Sequence, residues 1–165
     1  MKMTTVFLLI TAVLTALIAG LFYAYSCSVV LGLGKLSDTE YLKSMQSINR
    51  EILNPVFFMS FMGTAVLLPV TAFLFRGEQP VFLFLLLATA AYLIGVFGVT
   101  VAGNVPLNDM LDKFDIGGST AETVKQMRDR FENRWNLLND VRTIFSVISI
   151  ALVICACIWN KTLPE

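Results

Sequence analysis

Amide and guanidinium side chains recur close to the ends of the apolar stretches of this chain. Asn104 and Asn108 are four residues apart, and Asn139 and Arg142 are three apart, so each pair shares one face of a helix. Asn49 lies on a more polar segment before them. Amide N–H groups and a guanidinium donate hydrogen bonds, and they can stabilise negative charge on an enolate or phenolate oxygen. The set predicts a pocket for an oxygen-rich, flat, apolar molecule.

Further polar and aromatic residues are expected at the same end of the folded chain. They are Tyr23, Tyr25, Ser26 and Ser28, then Met45, Gln46 and Asn54, then Trp135. An alternative interpretation is a hydrogen-bonded cap that closes the bundle, because Asn and Arg at helix ends often satisfy free backbone groups. Arg142 opens an uncharged stretch and needs a partner or water there. The candidate partners are Glu51, Asp109, Asp112 and Asp140.

The residue types that are missing narrow the chemistry. The chain contains no histidine, and its three cysteines form no CxxC pair. His-ligated haem, most zinc sites, carboxylate–histidine di-iron bundles and Ser-His or Cys-His nucleophiles are therefore excluded. Any chemistry must depend on Asn, Arg, Trp, Tyr and carboxylates, or on the substrate itself.

Four long stretches without any charged residue must position these side chains. Residues 4–34, 52–75, 79–108 and 143–160 contain no Asp, Glu, Lys or Arg, and the shortest of them has 18 residues. A helix needs about 20 mostly apolar residues to cross the hydrocarbon core of a bilayer. With 56% hydrophobic residues overall, the chain is predicted to be an integral membrane protein with the lipid bilayer as a partner.

The predicted fold is all-α: a membrane four-helix bundle with two amphipathic connecting segments on one side. We expect a single domain over residues 1–165, with spans at about 4–34, 55–75, 80–108 and 142–160. The connecting helices are expected at about 38–53 and 120–141. Ser37 to Glu40 has the form of a capping box and predicts the start of the first connecting helix.

The distribution of positive charge predicts an orientation. Nine Lys and Arg residues lie on the two long connections, against Lys2, Arg76 and Lys161 on the other side. Positively charged loops face the cytoplasm, so we expect cytoplasmic connections, external termini and a bacterial inner membrane. Because the 12 basic and 12 acidic residues balance, no partnership with nucleic acid is expected.

Small residues occur every fourth position along the first span. They are Ala12, Ala16, Gly20, Ala24, Ser28 and Gly32. Such a stripe allows close approach of another helix in lipid, so it predicts either helix packing or the floor of a groove. It also makes this face the candidate surface for a homo-oligomer.

Four segments of the sequence resemble the anthrone oxygenase-like family of small four-helix integral membrane proteins. They are Met45-Gln46-Ser47-Ile48-Asn49, Asn54-Pro55-Val56-Phe57, Asn104-Val105-Pro106-Leu107-Asn108, and Trp135 with Asn139, Arg142 and Thr143. The resemblance covers nearly the whole chain and keeps the order of the segments. Many members of this family are described only as a domain of unknown function.

The resemblance implies an oxidoreductase, a monooxygenase that oxidises an anthrone-like phenol or enolisable ketone with dioxygen and uses no cofactor, metal or flavin. It assigns catalytic roles to Asn104, Asn108 and Arg142 as partners of the oxyanion or carbonyl. It implies substrate contacts from the remaining candidates. These are Gln46, Asn49, Asn54, Trp135, Asn139 and Tyr25. No general base is assigned, and Asp109 is the nearest carboxylate in the sequence.

Two other classes of function stay open at this point. A non-catalytic membrane protein could bind a lipophilic aromatic or quinone-like molecule, or a partner helix through the small-residue stripe. A small transporter would need charges near the middle of a span or broken helices in matching halves. No charge lies within any predicted span, and Pro69 has no clear counterpart.

Overall fold

The computed structural model describes residues 2–160, and it is 86% helical with no strand in that range. We number the five continuous helices of these residues in chain order. They are α1 (Met3–Leu33), α2 (Asp38–Glu51), α3 (Pro55–Leu74), α4 (Val81–Asp112) and α5 (Ala121–Trp159). Helices α1, α3, α4 and α5 are long and apolar enough to cross a membrane. The all-α fold with four candidate spans is confirmed.

The connecting helix α2 begins as the sequence predicts. The Ser37 hydroxyl accepts the backbone N–H of Glu40, while the Glu40 carboxylate accepts the backbone N–H of Ser37. The Ser37 hydroxyl also donates to the Glu40 carboxylate, and this hydrogen bond, together with the one from the Ser37 backbone N–H, holds the pKa of Glu40 below its usual range. The apolar side chains of Tyr41, Leu42 and Met45 are buried on one face of the helix. This face joins α2 to the first half of α5.

Helix α4 continues four residues beyond its predicted end at Asn108, so the connection to the next helix is shorter than the predicted bounds imply. The reason lies in the turns around Pro106. A π-helical segment, Thr100–Asn104, ends just before the α-helical segment Val105–Asp112 begins. Proline is tolerated in the first turn of a helix, where its missing N–H breaks no helical hydrogen bond.

Helix α5 is one uninterrupted helix of 39 residues, which is about 58 Å at 1.5 Å per residue. Its second half packs among the other spans. Its first half forms a cap with α2 and the end of α4, around a separate apolar core. Members of that core include Tyr41, Leu111, Phe131 and Trp135, and burial raises the pKa of Tyr41 well above its usual range.

Buried polar side chains join the spans in the middle of the bundle. Thr11 of α1 and Thr71 of α3 share a hydrogen bond of 2.8 Å between their hydroxyls. The Tyr92 hydroxyl donates to the carbonyl of Phe61 at 2.9 Å, and the Ser149 hydroxyl donates to the carbonyl of Ala88. Interhelical hydrogen bonds of this kind hold membrane helices together where water is absent.

The outer surface of the four spans is apolar, as a bilayer requires. Large hydrophobic side chains such as Leu17, Val66 and Ile94 are more than half exposed. On the small-residue stripe of α1, a Cβ atom added at Gly20 or Gly32 would meet nothing within 4 Å. The stripe therefore does not pack within the chain at these positions, and its role in a homo-oligomer stays a prediction. Lys161, one of the charges used to predict orientation, lies outside the described residues.

Candidate functional site

A cavity of about 220 Å³ lies where the spans meet the cap. Its polar lining comes from all the major elements except α3, and it is surrounded by aromatic and aliphatic side chains. Six of the nine predicted site residues line it. They are Tyr25, Asn49, Asn108, Trp135, Asn139 and Arg142.

Arg142 is the buried cation of this cavity, with only 6% of its surface exposed. Its Nη2 donates to Oδ1 of Asn139 at 2.9 Å, and its Nη1 lies 3.5 Å from the hydroxyl of Thr100. The guanidinium carbon lies 4.4 Å from the ring centroid of Phe22 and 5.4 Å from that of Trp135. The Nε atom has no hydrogen-bond partner within the described chain.

Arg142 is not paired with any of the four carboxylates that the sequence offered as partners, so that expectation is wrong. Asp112 instead pairs with Arg50, and Asp140 accepts the hydroxyl of Ser26. Within residues 2–160, no carboxylate oxygen lies within 4.0 Å of a nitrogen of Arg142. A buried cation is expensive unless a counter-charge or hydrogen bonds compensate it. The cavity is thus electropositive at this end.

A chain of hydrogen bonds fixes the orientation of Asn139. Its Nδ2 donates to the hydroxyl of Ser26 at 2.8 Å, so its Oδ1 must point toward Arg142. Ser26 in turn donates to Asp140 at 2.8 Å and lies 2.9 Å from the hydroxyl of Thr143. These contacts tie the π-helical turn Tyr25–Val29 of α1 to α5 and leave the guanidinium fork in one position.

Trp135 and Asn108 form the other polar wall. The indole N–H of Trp135 donates to Oδ1 of Asn108 at 2.9 Å. The ring of Trp135 also packs against Tyr25 and Phe131, with centroid distances of 5.8 and 6.3 Å. Because the Asn108 oxygen is engaged, its amide N–H groups are the part available to a ligand.

Asn49 and Asn104, two of the predicted site residues, carry buried atoms without hydrogen-bond partners. The Nδ2 of Asn49, in the cavity wall, is one of them. Asn104 is 1% exposed, and neither its Oδ1 nor its Nδ2 has a partner in the described structure. Asn104 does not line the cavity itself, but it lies on α4 between Thr100 and Asn108, which do. Buried polar groups are nearly always satisfied, so each such exception needs an explanation.

Gln46 and Asn54 lie outside the cavity lining, in contrast to their predicted contact with the substrate. The side-chain amide of Gln46 donates to the carbonyls of Leu111 and Phe114, which ties α2 to the end of α4. The side chain of Asn54 caps α3 by accepting the N–H of Phe57, and it donates to the carbonyl of Glu51. Both amides are occupied by backbone groups.

Most of the aromatic lining was not identified from the sequence. Phe22, Phe57, Phe61 and Phe97 face the cavity, as does Thr100. Phe61 stacks on Phe57 and Phe97, with centroid distances of 5.2 and 5.5 Å. The four-residue spacing of Phe57 and Phe61 was a signal for a shared face, but phenylalanine at such spacing is common on any membrane helix.

None of the described Asp and Glu side chains lines the cavity. Tyr25 and Arg142 are the ionisable residues among its lining side chains, and Asp109, the nearest carboxylate in sequence, is exposed on the outside of α4. Among residues 2–160, no group of three or more His, Cys, Asp or Glu side chains is arranged to hold a metal ion.

The mouth of the cavity lies between α3 and α4. Helix α3 packs against α1 and against the first part of α4, Val81–Ala90, and it makes few contacts with the rest of α4. The lining residues that are themselves exposed are all apolar: Leu53, Phe58, Met62, Val101 and Val105. This rim continues the lipid-facing surface of the two spans.

Fold and site together define a multi-pass integral membrane protein with an aromatic-walled cavity that holds a buried arginine. The family model described as anthrone oxygenase matches residues 56–152. The chain therefore belongs to the anthrone oxygenase family, which confirms the resemblance found in the sequence. The matched region covers most of three of the four spans, and it contains five of the nine predicted site residues: Asn104, Asn108, Trp135, Asn139 and Arg142. No curated protein and no solved structure matched the chain.

Proposed function

We propose that the cavity binds a flat lipophilic aromatic molecule with an acidic C–H or O–H group, and that the protein promotes its oxidation by dioxygen. Family membership supports an oxygenase-related role. The observation that carries the proposal is Arg142, a buried cation without a carboxylate partner, which faces a cavity with aromatic walls. Such a wall suits a planar ring system, and the cation suits an oxygen that becomes negative.

Hydrogen-bond donors converge on the oxygen of the bound molecule in this proposal. The donors that we assign to this role are the Nε of Arg142 and the Nδ2 of Asn49, two buried atoms without a hydrogen-bond partner, and the amide N–H groups of Asn108. Donors placed in a dry site stabilise an oxyanion far more than they would in water, and this lowers the barrier to its formation. Trp135 contributes a ring face for stacking.

The proposed reaction needs dioxygen and an activated methylene flanked by aromatic rings. Transfer of one proton from the carbon to water gives an anion whose charge is delocalised onto the oxygen near Arg142. The carbanion carbon gives its electrons to dioxygen and forms a C–O bond, and the resulting peroxide anion takes a proton. The O–O bond then breaks as the second C–H proton leaves, giving a carbonyl and one molecule of water. No cofactor takes part in this scheme.

The scheme also explains why the site can work without a carboxylate base. One proton is released in the first step, and one proton is taken up when the peroxide anion is protonated. The protein therefore has to stabilise the anion, but it needs no side chain that holds the released proton. Arg142 is proposed to supply that stabilisation. Asn104 does not line the empty cavity, but both of its polar atoms are without a hydrogen bond, and we propose that its side chain turns toward the ligand as a further carbonyl or oxyanion partner.

Oxygen uptake by the full-length protein in nanodiscs, with an anthrone as substrate, tests the proposal. We expect Arg142→Met and Asn104→Leu to lower turnover by about 100-fold or more, as expected for the loss of an oxyanion donor. Arg76→Met is the matched control, because it removes an exposed arginine at the opposite end of the bundle. Full activity in both site variants would overturn the assignment.

A non-catalytic protein that binds a quinone-like molecule is the second candidate. The lack of a carboxylate in the cavity wall favours it, because binding alone needs no base. The same variants separate the two functions. Tight ligand binding that depends on Arg142, together with no oxygen uptake above the rate without protein, would support the binding function.

We also propose an orientation in the membrane, with the cap in the cytoplasm. Cap charges such as Lys35, Lys43 and Lys125 support a cytoplasmic position for the cap. A cysteine introduced in the exposed loop at residue 117 should then react with a membrane-impermeant maleimide only after the cells are opened.

A further inference from the structure

A second recess lies on the outside of the molecule, between the end of α4 and the first half of α5. Its volume is about 550 Å³, and it shares no lining residue with the aromatic cavity. Ala102, Gly103 and Leu138 form its apolar end, while Arg130 and Arg134 form the other end. The recess is therefore apolar at the level of the spans and positively charged at the level of the cap.

Neither arginine has an ion-pair partner among residues 2–160. Both are exposed, and neither makes an ion pair or a hydrogen bond within the described residues. The acidic neighbour Glu132 is already paired with Arg128. Arg130 and Arg134 are one helical turn apart, and like charges at this spacing repel each other. An anion between them would relieve that repulsion.

The position of Arg130 and Arg134 relative to the bilayer indicates which kind of anion fits the recess. Gly103 lies in the uncharged stretch at 79–108, and the side chain of Leu138 packs directly over it. Leu138 is one helical turn beyond Arg134 toward the lipid-embedded half of α5. A ligand that fills the recess must therefore combine a negative head with an apolar tail.

We propose that this recess binds an anionic phospholipid, with the phosphate between Arg130 and Arg134 and an acyl chain along Gly103 and Leu138. Basic pockets beside membrane helices on the cytoplasmic side commonly hold such headgroups. The site is independent of the proposed oxidation. A lipid bound in the recess links α4 to α5. It does so close to Asn108 of α4 and Trp135 of α5, which both line the aromatic cavity.

Native mass spectrometry of the full-length protein with added dioleoyl phosphatidylglycerol or phosphatidylcholine tests this site. Each arginine near an anionic headgroup is worth roughly fivefold in affinity, so we expect about 25-fold tighter binding of the anionic lipid. The double variant Arg130→Gln/Arg134→Gln should lose this preference. The control Lys43→Gln/Lys125→Gln removes the same charge from exposed residues outside the recess and should keep it.

Two further measurements separate a lipid site from a plain anion site. Ala102→Trp fills the apolar end and leaves both arginines in place, so it should weaken binding of the anionic lipid at least fivefold. Glycerol phosphate, which has the head but no chain, should not displace the lipid. Equal affinity for the two lipids in the wild type, or displacement by glycerol phosphate at micromolar concentration, would overturn the proposal.

Discussion

Arg142 and Arg128 lie 14 residues apart on α5 and have opposite surroundings. Arg128 contacts the carboxylates of Asp38 and Glu132, and it donates to the carbonyls of Gly34 and Leu36. Arg142 has two neutral side chains as hydrogen-bond partners and is the more deeply buried of the two arginines. Arg128 links the cap to the bundle, whereas the burial of Arg142 beside the cavity without a counter-charge costs free energy.

This contrast predicts opposite effects on stability. Arg142→Met removes a desolvated, unpaired charge, so we expect the thermal midpoint to rise by about 2–4 °C, or about 1 kcal/mol for a chain of this size. Arg128→Met leaves two carboxylates and two carbonyls without their donor. We expect it to destabilise the protein by about 3 kcal/mol. Thermal unfolding in one detergent, followed by circular dichroism, measures both. A lower midpoint for Arg142→Met would show that this arginine is structural.

The two tryptophans provide a direct readout of ligand in the cavity. Trp135 lines the cavity, whereas Trp159 lies at the far end of α5 and is 53% exposed. A bound 1,4-naphthoquinone should quench the fluorescence of the wild type and of Trp159→Phe to a saturating level. Trp135→Phe should lose that saturable quenching. Saturable quenching that persists in Trp135→Phe would place the ligand elsewhere.

The apolar rim between α3 and α4 predicts uptake of the ligand from the bilayer. Met62 lies at the rim, and Met59 is exposed on the same helix without lining the cavity. We expect Met62→Trp to slow binding of a fluorescent lipophilic phenol from vesicles by about tenfold, because it narrows the opening. Met59→Trp should leave the rate unchanged. Equal rates for the two variants would mean that the ligand enters by another route.

The capping box of α2 predicts a dependence on pH. Its hydrogen bonds lower the pKa of Glu40 from the ordinary value of 4.5, so they stabilise the fold above that pH. The contribution is lost as the pH falls below the ordinary value and through the lowered pKa. Ser37→Ala should therefore lower the thermal midpoint by a few degrees at pH 7. The difference from the wild type should shrink at pH 3, and a constant difference would contradict this account.

Much of the fold could be predicted because the determining patterns are local. A span requires only a run of apolar residues long enough for the bilayer, and the capping box needs four consecutive residues at Ser37–Glu40. These patterns do not depend on what the helix packs against. The family could also be recognised at this level, because its characteristic segments are short and occur in order along the chain.

Which residues line the site was harder to predict, because this depends on the direction in which each face of a helix points. π-Helical turns in α1 and α4 shift the angular position of every residue that follows them, including Asn104 and Asn108. Gln46 and Asn54 were predicted to contact substrate from their residue type. The tertiary structure instead gives their amides backbone partners, a choice that residue type cannot reveal.

The sequence by itself determined that this protein has four apolar helices, and it predicted that several amides and Arg142 gather at one end. Only the tertiary structure decided that Arg142 is buried without a carboxylate partner and that aromatic rings from all four spans line the cavity beside it. The physical reason is that burial and the lack of a counter-charge belong to the space between helices. That space is set by packing contacts between residues far apart in the chain, such as Phe22 with Arg142.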